Sequence, residues 1–324
     1  MKPHVYLTRR LPQAAIDIVA AACAYEIWDE EAEAVPRAVL LDAVRQADGV
    51  LTMLSDRVDA VLLDAAPRLK IVANMAVGYD NVDLAELTRR GVLLTNTPDV
   101  LTETTADLAW ALMLAAARRV VEGQQLIVAG GWKSWSPLFM VGQDIAGATL
   151  GIVGAGRIGA AVARRACGFA MPVLYHNRRP APALEAETGA QYRMFDDLLR
   201  EADFVIVTAP LTAATRGMFG AREFALMKPT AVFVNVARGP LVQEQALLDA
   251  LEAGRPWAAG LDVFASEPIG ADHPLLALPN VVAVPHIGSA TLATRTRMAT
   301  TAAANLVAVV TGQPPLNPVM LDEI

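Results

Sequence analysis

At 324 residues, with 54% hydrophobic and 19% charged side chains, the chain can fill two ordinary cores and carries too few charges for a disordered protein. A formal net charge of -7 weakens the case for a broad nucleic-acid-binding surface, so local basic clusters must answer to local targets. The two cysteines, Cys23 and Cys167, fall in the helix-type runs AAACAY and RRACGF, where a thiol acts as a small buried hydrophobe; neither a disulfide nor a metal is expected.

From residue 4 to about 95, strand-type runs alternate with helix-period segments: HVYLT, PQAAIDIVAAA, YEIW, PRAVLLDAVRQA, GVLTML, VDAVLLDAA, KIVANMA, NVDLAELTRR and GVLLT. That alternation predicts a parallel sheet covered on both faces. A strand comes first and Asp17 precedes IVAAACA, so the N-terminus reads against a signal peptide, and a cytoplasmic protein is expected. A long helix is predicted over roughly 101–129, capped within TPDVLTETTAD and leading into a second domain. Its apolar run LAWALMLAAA is about half the length of a bilayer span and reads as a buried helix, with no membrane contact.

The second domain opens with ATLGIVGAGRIGAAVARRACGF and repeats the alternation through MPVLYHN, LEAETG, FDDLLREA, DFVIVTAP, TAVFVNVA, QEQALLDALEAG, AAGLDVF and NVVAVP. Residues 290–311 form an Ala- and Thr-rich helix that can return to the first domain. The expected fold class is α/β, with two doubly wound parallel-sheet domains.

A strand, then G-x-G-x-x-G, then a helix is the dinucleotide fingerprint in its required context. Gly154 permits the tight turn, Gly156 lets the backbone approach a pyrophosphate, and Gly159 lets helix and strand pack closely. Without a ligand the same residues would be a tight strand-to-helix turn. The second strand of the unit ends in VLYHNRRP, where an acid for the ribose hydroxyls is usual. A carboxylate there repels a 2′-phosphate, whereas guanidinium groups pair with one. Asn177, Arg178 and Arg179 therefore favour NADPH over NADH, with Arg178 as the direct contact. The plainer alternative is two exposed arginines at a strand end.

Three later segments, FVNVARGPLV, GLDVFASEP and VVAVPHIGSAT, each begin at the end of a predicted strand, where ligands collect in open α/β sheets. They bring Arg238, Glu267 and His286 to that edge. A cationic fork, an acid and an imidazole suit reduction of a 2-keto acid by hydride. His286 is the general acid, Glu267 orients it and favours its protonated form, and Arg238 holds the substrate carboxylate and polarises the carbonyl. Each residue alone has an ordinary reading as surface charge, turn residue or hydrogen-bonded histidine. His4 and His273 read as structural, and His176 flanks the cofactor ribose.

Together, VGYDN, TPDVLTETTADLAWALML, GIVGAGRIG, NVARGPLV, AAGLDVFASEP and VPHIGSAT resemble the D-isomer-specific 2-hydroxyacid dehydrogenases over nearly the whole chain. Within that family the likeness is greatest to glyoxylate/hydroxypyruvate reductases, including those that also act on 2-ketogluconate. The resemblance implies a discontinuous substrate-binding domain, residues 1–100 plus 291–324, with an inserted cofactor domain, 101–290, and the active site in the cleft between them. It places a carboxylate-binding loop on Val77 and Gly78, and cofactor contacts on Thr105, Arg157, Ile158, Pro210, Thr215, Val236, Ala237, Asp262 and Gly288. The family's common acid after the second strand is replaced here by Asn177. The chain's length is read against a long-type phosphoglycerate dehydrogenase.

The rings of GGWKSWSPLF imply burial against something, with packing inside the chain as the plainer reading. In the resembling reductases the matching segment is an arm of a twofold homodimer, which implies that Trp135 borders the partner's substrate pocket. The expected activity is NADPH-dependent reduction of a small 2-keto acid to the D-2-hydroxy acid. The alternatives are a dehydrogenase for a bulkier keto acid such as 2-ketogluconate, and a dinucleotide-sensing corepressor on the same fold.

Overall fold

Short runs rich in Val, Ile and Leu become strands buried on both faces, and the helix-period segments between them become the crossovers. The computed structural model describes residues 2–319. Its contacts divide the chain into two units, one running to Leu101 and resuming at Ser289, the other spanning Thr102–Gly288. Residues 320–324, the end of the expected substrate-binding domain, lie outside the described residues.

The first unit runs β1 (His4–Leu7), α1 (Gln13–Ala22), β2 (Ala24–Ile27), α2 (Arg37–Ala43), β3 (Gly49–Thr52), α3 (Ala60–Ala65), β4 (Ile71–Asn74), α4 (Leu84–Arg90) and β5 (Leu93–Thr95). Its five strands pair in parallel in the order β2-β1-β3-β4-β5. Alternate residues feed opposite layers. Tyr6, Val50 and Val72 pack with Leu40 and Leu62, while Leu7, Leu51, Ile71 and Ala73 pack with Ala299, Ala302 and Leu306. Those last three belong to the helix Leu292–Val310, so the Ala-rich C-terminal segment does return to this sheet.

The second unit begins with α5 (Thr102–Ala117) and α6 (Val120–Val128). It continues through β6 (Leu150–Val153), α7 (Arg157–Ala166), β7 (Val173–His176), α8 (Pro182–Thr188), β8 (Gln191–Tyr192), α9 (Phe195–Glu201) and β9 (Phe204–Val207). The last elements are α10 (Ala221–Leu226), β10 (Val232–Asn235), α11 (Glu244–Glu252), β11 (Ala258–Leu261) and β12 (Val281–Ala283). Seven parallel strands take the order β12-β11-β10-β9-β6-β7-β8. The chain steps outward from β6 to β8, then crosses back to β9, so the topological switch lies beside β6. Apolar α5 is buried in this unit, with Trp110 stacked 4.8 Å from Phe169 and donating through Nε1 to the Val162 carbonyl at 3.1 Å.

Three expectations need correction. The single long helix is two, because Arg119 adopts φ 53° and ends one helical path before α6 begins. Cys167 is exposed in a 3-10 turn, Cys167–Phe169, rather than buried in a helix. Cys23 is buried but stands just past α1, in extended conformation. Among the described residues no helix is long and apolar enough to cross a membrane, and no cluster of side chains could hold a metal ion.

Candidate active site

The glycine turn sits between the carboxyl end of β6 and the amino end of α7. Gly154 has φ +97°, a region that side chains strain to adopt, and a Cβ there would also overlap the backbone of Ala209. At Gly156 the situation is different: φ is -79° and a Cβ would meet nothing within 4 Å. Neither backbone conformation nor internal packing asks for glycine at that position. What it leaves is clear space at the N-terminus of α7, whose first amides, those of Arg157, Ile158 and Gly159, have no intrahelical partner. Those features fit a dinucleotide pyrophosphate. Gly159 packs the helix on the strand, since a Cβ there would lie 2.6 Å from the Gly154 carbonyl.

At the end of β7, Arg178 and Arg179 are both exposed, and neither side chain makes a hydrogen bond or ion pair among the described residues. Asn177 behaves otherwise. Its Oδ1 accepts from the Ala155 amide at 2.7 Å and its Nδ2 donates to the Ala155 carbonyl at 3.3 Å, so it clamps the glycine turn. An aspartate could make only the first of these bonds. Beyond β9, Thr215 Oγ1 donates to the Pro210 carbonyl at 2.7 Å and accepts from the Thr212 amide, which closes an exposed turn at the same sheet edge.

The loops after β10, β11 and β12 bring Arg238, Glu267 and His286 together. His286 Nδ1 lies 2.7 Å from Glu267 Oε2, and Glu267 Oε1 accepts from the Phe264 amide at 2.9 Å. Burial would raise the Glu267 carboxyl. The bond and charge of His286, the Phe264 amide and the positive Arg238 outweigh it and hold the group below its usual range. Arg238 caps a 3-10 turn, Gly239–Leu241, and donates from Nη1 to the Ala237 carbonyl at 2.8 Å. Val236 is buried beside it and Ala237 half-buried.

Asp262 organises the histidine turn. Its two oxygens accept from the amides of Ile287 at 2.6 Å and Gly288 at 2.9 Å, and its carbonyl accepts from the His286 amide at 2.9 Å. His286 itself has φ 53°, a left-handed conformation unusual for a residue with a Cβ. Thr105, at the start of α5, donates to the Gly288 carbonyl at 3.2 Å. Burial pushes the Asp262 carboxyl up to about 6 against the two amides and the nearby His286 charge.

Val77 and Gly78 belong to the first unit. Their carbonyls accept from Asn96 Nδ2 at 2.9 Å and Asn74 Nδ2 at 3.1 Å, while their amides donate no hydrogen bond among the described residues. Trp135 is 78% exposed in the segment after α6, and α6 has no buried residue. The remaining histidines are bonded elsewhere: His4 to Glu26, His176 through Nδ1 to the Arg193 carbonyl, and His273 to Glu244.

Two contributors were not singled out from the sequence. Asn235, at the end of β10 and 1% exposed, donates to the Arg238 carbonyl at 3.0 Å and accepts from the Ala237 amide at 3.0 Å. A polar residue closing the apolar run FVN was its signal. Gly239 has no such signal. A Cβ there would overlap the Phe264 carbonyl, so the loop carrying Arg238 lies directly against the loop carrying Glu267.

Residues 110–288 match the NAD-binding domain of the D-isomer-specific 2-hydroxyacid dehydrogenases. Over 319 residues the chain is 51% identical to a protein named glyoxylate reductase from Thermococcus gammatolerans, covering 97% of this chain and 95% of the relative. The TT0316 protein of Thermus thermophilus superposes with a TM-score of 0.91 at 45% identity, covering 98% of this chain and all of that one. An NADPH-dependent glyoxylate/hydroxypyruvate reductase from Sinorhizobium meliloti, solved with NADP and malonate, superposes with a TM-score of 0.84 at 34% identity, covering 98% and 97% of the two chains.

Proposed function

This chain belongs to the D-isomer-specific 2-hydroxyacid dehydrogenase family, and from that premise we propose that it reduces glyoxylate or hydroxypyruvate to the D-2-hydroxy acid with NADPH as the preferred cofactor. The observation that carries the reading is the bond between His286 Nδ1 and Glu267 Oε2. With Nδ1 engaged by a carboxylate, Nε2 is the end left to deliver a proton. When bound, the nicotinamide supplies the hydride. His286 gives its proton to the carbonyl oxygen as the charge on that oxygen develops. Arg238 holds the substrate carboxylate in a forked pair and polarises the carbonyl.

The cofactor preference rests on Arg178 and Arg179, two exposed side chains at the end of β7 without partners among the described residues. Asp262 and Thr105 hold the turn that sets the position of His286. The relatives named glyoxylate reductase, at about half identity over almost the whole chain, support the substrate class. The apolar arm formed by α6 and the segment after it, with Val128, Trp132, Trp135 and Leu138 exposed, supports a symmetric homodimer in which Trp135 borders the partner's substrate site and limits substrate bulk.

Initial rates for glyoxylate, hydroxypyruvate, pyruvate, phenylpyruvate and 2-ketogluconate, each with NADPH and with NADH, test the reading. The small keto acids with NADPH should give the highest kcat/KM. Failure to reduce any of the five overturns the activity, and an NADH preference overturns the cofactor assignment.

A further inference from the structure

The loop that carries Glu267 is pinned by a second carboxylate. Glu244 stands at the first position of α11, and its Oε2 accepts from the Ala265 amide at 3.0 Å. Its Oε1 lies 3.0 Å from His273 Nε2. The preceding amide, that of Phe264, donates to Glu267 itself. Two successive amides of one loop thus donate to two different acids. One acid bonds His286, and the other bonds His273.

His273 closes this arrangement from the far end of the same loop. Its ring meets the Phe264 ring edge-on, with centroids 5.7 Å apart, and its Nδ1 is buried with no hydrogen-bond partner among the described residues. A hydrogen on Nδ1 would be a buried donor left unmade. The hydrogen therefore resides on Nε2, and His273 donates it to Glu244. Both oxygens of Glu244 are thus acceptors of fixed donors, one from each end of the 264–273 segment.

We propose that Glu244, oriented by His273, is a positioning residue for the Glu267–His286 pair. This deepens the reductase reading and rests on it. Glu244 holds the Ala265 amide, and so the peptide plane that precedes it. With that plane held, the Phe264 amide is aimed at Glu267 Oε1, and Oε2 remains turned to His286. Glu244 touches neither His286 nor the open space at Gly156 in any hydrogen bond among the described residues. Its effect must pass through Glu267.

Glu244→Ala and Glu244→Gln test the proposal in the full-length protein, with glyoxylate and NADPH. Loss of loop register of this kind should lower kcat by roughly 10- to 100-fold while the KM for NADPH stays within about twofold. Gln keeps an acceptor for the Ala265 amide but turns its NH₂ toward the His273 donor, so its loss of kcat should fall between wild type and Ala. In a Glu267→Gln background, Glu244→Ala should add less than about threefold, because the route it acts through has already been cut. Amide hydrogen exchange in the unliganded protein gives a readout independent of turnover: Glu244→Ala should speed exchange at Phe264 as well as at Ala265. Additive losses of kcat in the double variant, or an unchanged Phe264 amide, overturn the proposal. If the wild-type protein reduces no 2-keto acid, the reductase reading fails, and the exchange measurement still decides whether Glu244 holds the Glu267 loop.

Discussion

Glu267→Gln removes a charge and leaves the shape. In the native loop the carboxylate accepts from His286 Nδ1 at 2.7 Å and from the Phe264 amide at 2.9 Å, and is held ionised by those donors and by Arg238 in spite of its burial. Gln keeps one acceptor, which the Phe264 amide can claim, and turns its NH₂ toward the imidazole. A hydrogen bond to a charged group contributes about 1.5–3 kcal/mol. The His286 and Glu267 side chains are about one-third exposed, so solvent screening reduces the share to roughly 1–2 kcal/mol. Because 1.36 kcal/mol is a factor of ten in rate, losing that share should lower kcat/KM for glyoxylate by roughly 5- to 30-fold. The assay is kcat/KM for glyoxylate with NADPH saturating, beside the Kd for NADPH by fluorescence titration, which should stay within about twofold. An unchanged kcat/KM, or an equal loss in NADPH binding, would show that Glu267 does not act on His286 in this way.

His286→Asn should lower kcat by about 10²- to 10⁴-fold, the range of a positioned general acid, with NADPH binding by fluorescence titration nearly unchanged. Arg178→Ala should weaken NADPH by roughly 10- to 100-fold, the equivalent of one charge-assisted bond, and NADH much less; equal losses for both refute the 2′-phosphate contact. Gly239→Ala should cost at least about 2 kcal/mol in urea unfolding, since backbone rather than a flexible side chain blocks the new methyl. Asp262, raised to about 6 from 3.8, binds its proton more tightly in the native state than in the unfolded chain. Its contribution to stability is therefore greatest at low pH and falls as pH rises through that window, by up to roughly 3 kcal/mol. The Tm of Asp262→Asn should lack that slope between about pH 4 and 6, and a wild-type contribution rising with pH there would refute the assignment.

Strand identity was readable from the sequence because parallel strands buried on both faces leave continuous Val/Ile/Leu runs, and FVIV and VFVN do so without ambiguity. The break between α5 and α6 was not, because Arg118 and Arg119 carry no glycine or proline and the helical period continues across them. A positive φ at an arginine has no local sequence signal, since nothing in the residue type favours it. Cys167 shows the same limit. Its neighbours are apolar, but a 3-10 turn rotates it to the surface, and rotation within a turn is not encoded in hydrophobic content.

At the candidate site, readability tracked the kind of interaction. Residues whose side-chain chemistry suits hydride reduction stood out by type and by position at a strand end, which is how Arg238, Glu267 and His286 were found. Those that act by holding backbone did not. Asn177 looked like a substitute for a ribose-binding acid, yet both ends of its side chain are spent on Ala155. Asp262, Asn235 and Glu244 likewise each accept from loop amides and turn a flexible connection into a defined one. A hydrogen-bonded pair at 2.7 Å requires both loops to keep their relative position through turnover, since a displacement of about 1 Å would break it. The chain meets that requirement with buried acceptors under loop amides and a glycine where two loops touch. Substitutions at Glu244, Asp262 and Gly239 should accordingly lower kcat by displacing catalytic side chains they do not replace, and at Glu244 and Gly239 cofactor binding should remain the parameter least affected.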